Sequence, residues 1–306
     1  MSEGKQKFTP RGIIPAVVTP LTSAGKFSEP AMRKLINYLI DGGVHGLFIT
    51  GTTGEFYGLT PEEKRAIYQV TLDETRGRVP IYAGTNGITT RESVMLTQLA
   101  EECGLDAVSI LTPMFITPTQ EQLITHYKTI AANTSLPVLL YNNPPKTGVN
   151  LTAPTVAKLA EVPNIVSIKD SSGDLTLTAE YIRLTRGIDN FNVLMGRDTL
   201  IYGALCYGAA GSIASCANVA PRLCADIYDK YMAGDLPGSL EAQFKLAPLR
   251  IAFTIGTFPA VIKESLALLG LDVGPCMDPV GPMNDEEREK VRQVLIGMDL
   301  IKPGKQ

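Results

Sequence analysis

The sequence predicts an α/β protein, a (β/α)8 TIM barrel with a C-terminal helical appendage. From Gly12 onward, short runs rich in β-branched residues alternate with longer amphipathic segments about eight times, as strand and helix alternate in this barrel. A doubly wound sheet usually has fewer strands and often opens with a glycine-rich phosphate turn, which the sequence lacks. After Asn218 the pattern becomes purely helical, which predicts helices outside the barrel.

The predicted strands are short and apolar. Each is 4 to 7 residues long, which suits a parallel sheet covered on both faces. They span residues 12–18, 45–50, 80–83, 106–111, 137–141, 165–169, 192–195 and 210–214.

Helices are predicted between the strands and after the last one. Thr60 precedes Glu63 by the spacing of a capping box, so a helix should begin just after Thr60. The clearest helices span residues 29–41, 61–76, 90–103, 119–133, 219–232, 239–255, 259–269 and 284–300. A break rich in glycine and proline lies at 234–238. We therefore predict a catalytic barrel over residues 1–232 and a helical region over residues 233–306 that packs on it.

The composition is that of a globular protein with a large core. The 306 residues are 44% hydrophobic and 19% charged, with a net charge of -3, and this length accommodates one barrel or two average domains. Because no basic cluster is present, neither nucleic acid nor an anionic membrane is expected as a partner. No apolar run is long enough to span a membrane. Both termini are expected to fray.

The cysteines and histidines indicate the cellular compartment and whether a metal site is expected. The five cysteines show no CxxC spacing and mostly lie in apolar surroundings, so we expect buried, reduced thiols. Residues 1–7 are not followed by the apolar core of a signal peptide, which favours a cytoplasmic protein. His45 and His126 are the only histidines, so we expect no metal site and disfavour metal-dependent aldolases and hydrolases.

Lys169 is the candidate reactive group. It ends an apolar run over residues 164–170, where a parallel strand would take its amine out of water. Burial favours the neutral amine that attacks a ketone. The alternative is a lysine that extends past the strand end and pairs with Asp170.

Two further polar features follow predicted strands. The turn Gly51-Thr52-Thr53-Gly54 offers backbone N–H groups and hydroxyls that could hold a carboxylate, although an ordinary strand-to-helix turn would look the same. Tyr141 ends an apolar strand and could move protons beside an amine, or could simply be a buried tyrosine bonded to a backbone carbonyl. Because active sites of such barrels lie at the C-terminal strand ends, these features should converge with Lys169. A lysine, a phenol and an anion pocket together favour Schiff-base chemistry on a 2-oxo acid.

At these residues the chain resembles the dihydrodipicolinate synthase and N-acetylneuraminate lyase family of class I aldolases. The resemblance covers nearly the whole length and depends on four motifs. These are Gly51-Thr52-Thr53-Gly54-Glu55, Tyr141-Asn142 with Pro144 and Thr147-Gly148, Ile168-Lys169-Asp170, and Gly211-Ser212-Ile213 with Asn218 downstream.

The resemblance implies the site roles. Lys169 would form the imine with pyruvate, Tyr141 would move protons and Thr52 would relay them. Thr53 would hold the pyruvate carboxylate through its backbone and hydroxyl. Gly196 and Ile213 would line the pocket. The family's members are usually tetramers built from two tight dimers, and they need no metal or organic cofactor beyond the covalent imine.

The chain departs from the synthases of the family at two positions. Phe115 occupies the place of a tyrosine that completes the proton relay across the dimer interface, and a phenyl ring cannot pass a proton. Lys146 replaces an arginine that binds the second substrate's carboxylate, and lysine lacks the two-pronged grip of arginine. Asp198 lies where the family's sugar-acid lyases contact substrate hydroxyls, so it could bind a polyol chain or could serve as a helix N-cap.

These residues predict a pyruvate-dependent lyase that makes or breaks a C–C bond between pyruvate and an aldehyde. The preferred substrate is a 2-oxo-3-deoxy sugar acid or a similar hydroxylated 2-oxo acid. The alternatives are 4-hydroxy-tetrahydrodipicolinate synthase, which joins pyruvate and aspartate semialdehyde, a 2-oxo acid dehydratase, and a non-catalytic binding homologue.

Overall fold

Eight parallel strands form a single sheet that curves into a barrel. The computed structural model describes residues 8–303, and the sheet order is β1-β8-β7-β6-β5-β4-β3-β2. The strands are β1 Gly12–Pro15, β2 Leu47–Ile49, β3 Ile81–Gly84, β4 Ala107–Leu111, β5 Val138–Asn142, β6 Ile165–Asp170, β7 Asn192–Met195 and β8 Gly211–Ala214. The predicted (β/α)8 barrel is confirmed.

The barrel closes between β1 and β2 through a short contact. Ala16 forms a parallel bridge with Phe48, and the Val17 N–H donates to the Phe48 carbonyl at 2.8 Å. The Asn218 side chain accepts from the Val18 N–H and donates to the Ala16 carbonyl. Residues 16–18 were predicted as strand, but β1 ends at Pro15. Beyond it only single contacts with β2 and β8 continue, and the Asn218 side chain bonds to Ala16 and Val18.

Helices surround the sheet, and further helices follow the last strand in the chain. They are α1 Glu29–Asp41, α2 Pro61–Thr75, α3 Thr90–Cys103, α4 Gln120–Ala131, α5 Pro144–Thr147, α6 Ala153–Ala160, α7 Leu175–Thr185, α8 Ile201–Tyr207, α9 Pro221–Met232, α10 Leu236–Ala252, α11 Ala260–Leu268 and α12 Asp285–Gly297. The predicted capping box of α2 is present, since the Glu63 N–H donates to the Thr60 hydroxyl at 3.2 Å and the Thr60 N–H donates to the Glu63 carboxylate at 2.9 Å.

Two apolar clusters form most of the core. The barrel interior holds one side chain from each strand, namely Ile14, Phe48, Tyr82, Ala107, Leu139, Val166, Leu194 and Ile213. The larger cluster lies between the strands and the helices and includes residues from both sides of position 232, such as Ile227 and Leu246. The C-terminal helices therefore pack on the barrel, while the boundary at 232 stays a prediction.

Helix α10 begins at Leu236, earlier than predicted. Asp235 accepts a hydrogen bond from the Gly238 N–H at 2.9 Å, so the predicted break supplies the first turn of the helix and its cap. Pro237 lies in that first turn, where a missing N–H costs little.

Several other expectations can be compared with the structure. Cys216 and Cys224 are buried and all five cysteines are free, but Cys206 is exposed, so the expectation of buried thiols is wrong there. Within residues 8–303, no group of three or more His, Cys, Asp or Glu side chains could hold a metal ion, and no helix is long and apolar enough to cross a membrane. The expected fraying at 1–7 and 304–306 lies outside the described residues.

Candidate active site

Lys169 and Tyr141 lie side by side at the C-terminal ends of β6 and β5. The two residues are paired in the sheet register, and each is 3% exposed. The Lys169 Nζ lies 4.0 Å from the centroid of the Tyr141 ring and 5.0 Å from that of Phe48. The amine is therefore held against two aromatic faces inside the mouth of the barrel.

Asp170 does not pair with Lys169. Its carboxylate accepts hydrogen bonds from the Thr178 hydroxyl at 2.6 Å, the Ser172 hydroxyl at 3.0 Å and the Asn142 amide at 3.2 Å. Lys169 makes no ion pair with any residue in the described part of the chain. A buried amine without a carboxylate partner is free to react with a ligand.

The Tyr141 phenol lies among polar and charged side chains. The Asn143 amide donates to its oxygen at 3.0 Å. Burial raises the pKa of the phenol, but the charge of Lys169 and the polar groups of Thr52, Ser171 and Asn143 lower it by more, so the pKa lies below its usual value of 10.0. The phenol is thus easier to ionise than a free tyrosine and suits proton transfer.

The turn after β2 is held in a strained conformation. Thr50 and Glu55 have φ values of 49° and 55°, and residues other than glycine rarely adopt such positive values. Gly84 in the next strand makes room for this turn, since a Cβ there would lie 2.3 Å from the Thr50 carbonyl oxygen. On the other side, the Thr53 hydroxyl lies 3.1 Å from that of Ser215, so both hydroxyls face the barrel mouth.

Glu55 ties this turn to the C-terminal helices. Its carboxylate lies 2.6 Å from the Nζ of Lys263 in α11 and accepts from the Met277 N–H at 2.6 Å. Glu55 is fully buried and Lys263 is 4% exposed. The ion pair therefore anchors the loop that carries Thr52 and Thr53.

A cavity of about 250 Å³ opens above the Lys169 amine. Seven of the residues predicted for the site line it, namely Thr52, Thr53, Tyr141, Lys146, Lys169, Gly196 and Asp198. Its other lining residues are Asn143, Pro145, Ser171, Arg197, Ser215, Arg250, Phe253, Thr254 and Phe258. Ile213 is not among them, because it packs in the barrel interior.

Gly196 is required by a close approach of backbones. A Cβ at this position would lie 2.0 Å from the Ser171 hydroxyl oxygen and 2.8 Å from the Asp170 carbonyl oxygen. The Gly196 N–H donates to that carbonyl at 2.7 Å. The ends of β6 and β7 can therefore lie together beneath the cavity.

Asp198 is occupied by protein groups. One carboxylate oxygen accepts from the Cys216 N–H at 2.8 Å, and the other lies 3.3 Å from the Arg250 Nε. Asp198 begins a short 3-10 turn but does not cap it. The N-cap role is therefore wrong, whereas the contact with a polyol chain stays a prediction.

The outer wall of the cavity comes from residues that the strand pattern does not indicate. Arg250 lies in α10, while Phe253 and Phe258 follow that helix. No local motif marks them, because their position depends on how α10 packs over the barrel. The one available signal was the place of Arg250 and Phe253 in the predicted helix 239–255, and Phe258 lies between two predicted helices.

A second cavity of about 180 Å³ adjoins the first and shares Thr52, Lys146 and Phe258 with it. Its remaining lining residues, Phe56, Tyr57, Leu111 and Met114, are mostly apolar. Phe115, next in the chain, is 94% exposed with a φ of 71°. Its ring therefore lies on the surface of the single chain.

Comparisons with known proteins agree on one family. The model of the dihydrodipicolinate synthetase family matches residues 9–297. The 4-hydroxy-tetrahydrodipicolinate synthase of Thermodesulfovibrio yellowstonii is 39% identical over 292 residues, which are 95% of this chain and 99% of that protein. The synthase of Methanothrix thermoacetophila is 37% identical over 288 residues, 94% of this chain and 97% of that protein.

Solved structures are also similar. A dihydrodipicolinate synthase from Thermotoga maritima superposes with a TM-score of 0.93 at 32% identity, covering 96% of this chain and 100% of that one. YagE, a prophage protein of the dihydrodipicolinic acid synthase family from E. coli K12 in complex with pyruvate, gives a TM-score of 0.92 at 32% identity, covering 95% and 99%.

Proposed function

The chain belongs to the dihydrodipicolinate synthetase family, and from that premise we propose that it joins pyruvate to an aldehyde through a Schiff base on Lys169. The observation that carries this proposal is a 3% exposed amine without an ion pair in the described chain, 4.0 Å from the centroid of the Tyr141 ring. An amine in that position is shielded from water and open to the cavity.

The reaction follows from the groups around the amine. Lys169 attacks C2 of pyruvate as the neutral amine, and a proton passes from its nitrogen to the keto oxygen by way of the Tyr141 phenol, which gives the carbinolamine. Water leaves to give the imine, and loss of a proton from C3 gives the enamine. C3 of the enamine then bonds to the aldehyde carbon while the aldehyde oxygen gains a proton. Each step moves one proton, which a phenol of lowered pKa can donate and accept.

The pyruvate carboxylate has a binding place beside this amine. The Thr53 and Ser215 hydroxyls, 3.1 Å apart, line the same cavity as Lys169, and backbone N–H groups of the turn at 51–54 can add donors. Thr52 has a buried hydroxyl without a partner in the described chain, which suits it to pass a proton between substrate and Tyr141.

We propose aspartate semialdehyde as the aldehyde, which makes the chain a 4-hydroxy-tetrahydrodipicolinate synthase. Eight relatives with 35 to 39% identity carry that name, so this alternative is better supported than the sugar acid preferred from sequence alone. The occupied carboxylate of Asp198 also weakens the sugar-acid proposal, because it was the expected acceptor for substrate hydroxyls.

The sugar-acid lyase remains the second candidate. It is favoured by Phe115, which cannot pass a proton, and by Lys146 in place of an arginine. A dehydratase that uses the same imine, or a binding protein that has lost turnover, would keep the same cavity.

Borohydride trapping and an aldehyde panel test these proposals. Mass spectrometry should locate a pyruvate adduct on Lys169, and a Lys169→Arg variant should give none. Absence of the adduct in the wild type would favour the binding protein. Aspartate semialdehyde should then react faster than glyceraldehyde. The opposite order supports the sugar-acid lyase, and water loss from a 2-oxo acid without C–C cleavage supports the dehydratase.

We further propose that the protein is a cytoplasmic homotetramer built from two tight dimers. The exposed ring of Phe115, at 94%, and the neighbouring Ile116, at 47%, are apolar surface that such a contact would cover. Light scattering after size exclusion measures the mass directly, and a monomer at micromolar concentration would contradict the assembly.

A further inference from the structure

The cavity carries more positive charge than pyruvate requires. Its lining includes Lys146, Lys169, Arg197 and Arg250, against a single carboxylate, that of Asp198. Pyruvate brings one carboxylate, and the hydroxyls of the turn after β2 are placed to hold it. Lys146, Arg197 and Arg250 are not needed to form the imine.

Arg197 is one of the cations of this cavity that form no ion pair within residues 8–303. Its side chain is half-buried. Within residues 8–303 its guanidinium makes no ion pair and no hydrogen bond. It lies directly over Gly173, where a Cβ would come within 3.0 Å of its Nε. The glycine leaves the space in which the flat guanidinium rests at the cavity wall.

The neighbouring carboxylate of Asp198 makes no ion pair with Arg197. Asp198 already accepts from the Cys216 N–H and pairs with Arg250. Burial and the charge of Arg250 lower the pKa of Arg197 from its ordinary value, although the charges of Asp198 and Asp170 act in the opposite direction. Arg197 and Arg250 are thus two like charges in a partly dry site. An arrangement of this kind costs free energy until an anion enters.

We propose that Arg197, with Arg250 and Lys146 beside it, binds a carboxylate at the end of the aldehyde remote from the reacting carbonyl. This inference depends on the proposed function, since it describes the second substrate of that reaction. Arginine can hold a carboxylate through two parallel hydrogen bonds. Arg197 would therefore supply the two-pronged contact that Lys146 cannot make. The site then selects anionic over neutral aldehydes.

Two four-carbon aldehydes, 4-oxobutanoate and butanal, differ chiefly in the terminal carboxylate and provide the test. The wild type should show a kcat/KM for 4-oxobutanoate about 10- to 100-fold above that for butanal, the usual range for a charge-assisted hydrogen bond. In Arg197→Gln the ratio of the two kcat/KM values should fall toward one, mainly through a loss with 4-oxobutanoate, and borohydride should still trap pyruvate. Arg197→Lys should restore part of the preference.

Arg186→Gln is the matched control. It removes the same charge from an exposed position at the C-terminal end of α7, on the side of the barrel away from the cavity, and should leave both aldehydes unaffected. Equal losses for both aldehydes in Arg197→Gln, no preference in the wild type, or no reaction with either aldehyde despite imine formation would each overturn the inference.

Succinate binding, followed by calorimetry, separates this inference from the proposed function. Binding that weakens about tenfold or more in Arg197→Gln supports the anion site without any chemistry on Lys169. Equal binding by both proteins overturns it even where pyruvate is trapped. Failure of the wild type to trap pyruvate counts only against the proposed function.

Discussion

Replacing Lys263 by methionine removes half of a buried ion pair. Its Nζ lies 2.6 Å from the Glu55 carboxylate, and the two side chains are 4% and 0% exposed. Methionine retains most of the apolar stem, so the main loss is the ammonium group. Glu55 then keeps only the hydrogen bond from the Met277 N–H, and the Pro275 carbonyl loses the lysine as a donor. Removing one partner from a buried pair costs about 3 to 5 kcal/mol.

Lys290→Met provides a matched control. Lys290 and Glu286 also lie 2.6 Å apart, but their side chains are 58% and 78% exposed. Water screens such pairs, which contribute little to stability. Since residue types and distance are the same in both pairs, the difference between the two variants reports burial of the pair together with the lost bond to the Pro275 carbonyl. We expect no resolvable change in the urea midpoint for this control.

Urea unfolding at one fixed protein concentration measures both variants. The free energy of unfolding should fall by about 3 to 5 kcal/mol in Lys263→Met, and adding Glu55→Gln should recover part of the loss by removing the unpaired charge. The KM for pyruvate should rise in Lys263→Met because the loop of Thr52 and Thr53 loses its anchor. If Lys263→Met and Lys290→Met have the same free energy of unfolding, the reasoning from burial is refuted.

Three further predictions follow from single contacts. Tyr141→Phe removes the proton-transfer group while keeping the ring against Lys169, so kcat should fall about 100- to 10,000-fold with an unchanged circular dichroism spectrum. Gly84→Ala would place a Cβ 2.3 Å from the Thr50 carbonyl oxygen and should cost about 1 to 3 kcal/mol in urea unfolding, whereas Gly77→Ala, which meets no atom within 4 Å, tests for strain from positive φ alone. Burial lowers the pKa of His126 from 6.5 to about 4, so its contribution to stability is present above pH 6.5 and is lost as pH falls toward 4. His126→Gln should therefore flatten the pH dependence of unfolding in that range by up to about 3 kcal/mol, and parallel curves for the variant and wild type would contradict this.

The barrel could be predicted from sequence because its signals are local. Each strand is a short apolar run, and parallel strands bring their C-terminal ends to one mouth. Tyr141 and Lys169 end adjacent strands, so their proximity follows once strand order is assumed. Strand ends were less predictable, because residues 16–18 bond to Asn218, about 200 positions later in the chain.

The rest of the site depends on distant packing. Asp198 could be placed at the cavity from its strand, but its partners Cys216 and Arg250 depend on where β8 and α10 come to lie. Similarly, the sequence marks Glu55 as part of a turn motif without indicating that a lysine more than 200 residues away neutralises it. Such pairs have no periodicity that would identify them from one sequence.

These distant contacts bring residues of the C-terminal region to the proposed active site. Arg250 and Phe253 form cavity wall, and Lys263 holds the loop of the proposed carboxylate site. A barrel over residues 1–232 alone would retain Lys169 and Tyr141 but would lack the outer wall and leave Glu55 buried without its cation. The proposed reactive amine and proton donor thus come from the strands, whereas the proposed binding place of the second substrate includes residues of helices that the barrel pattern does not require.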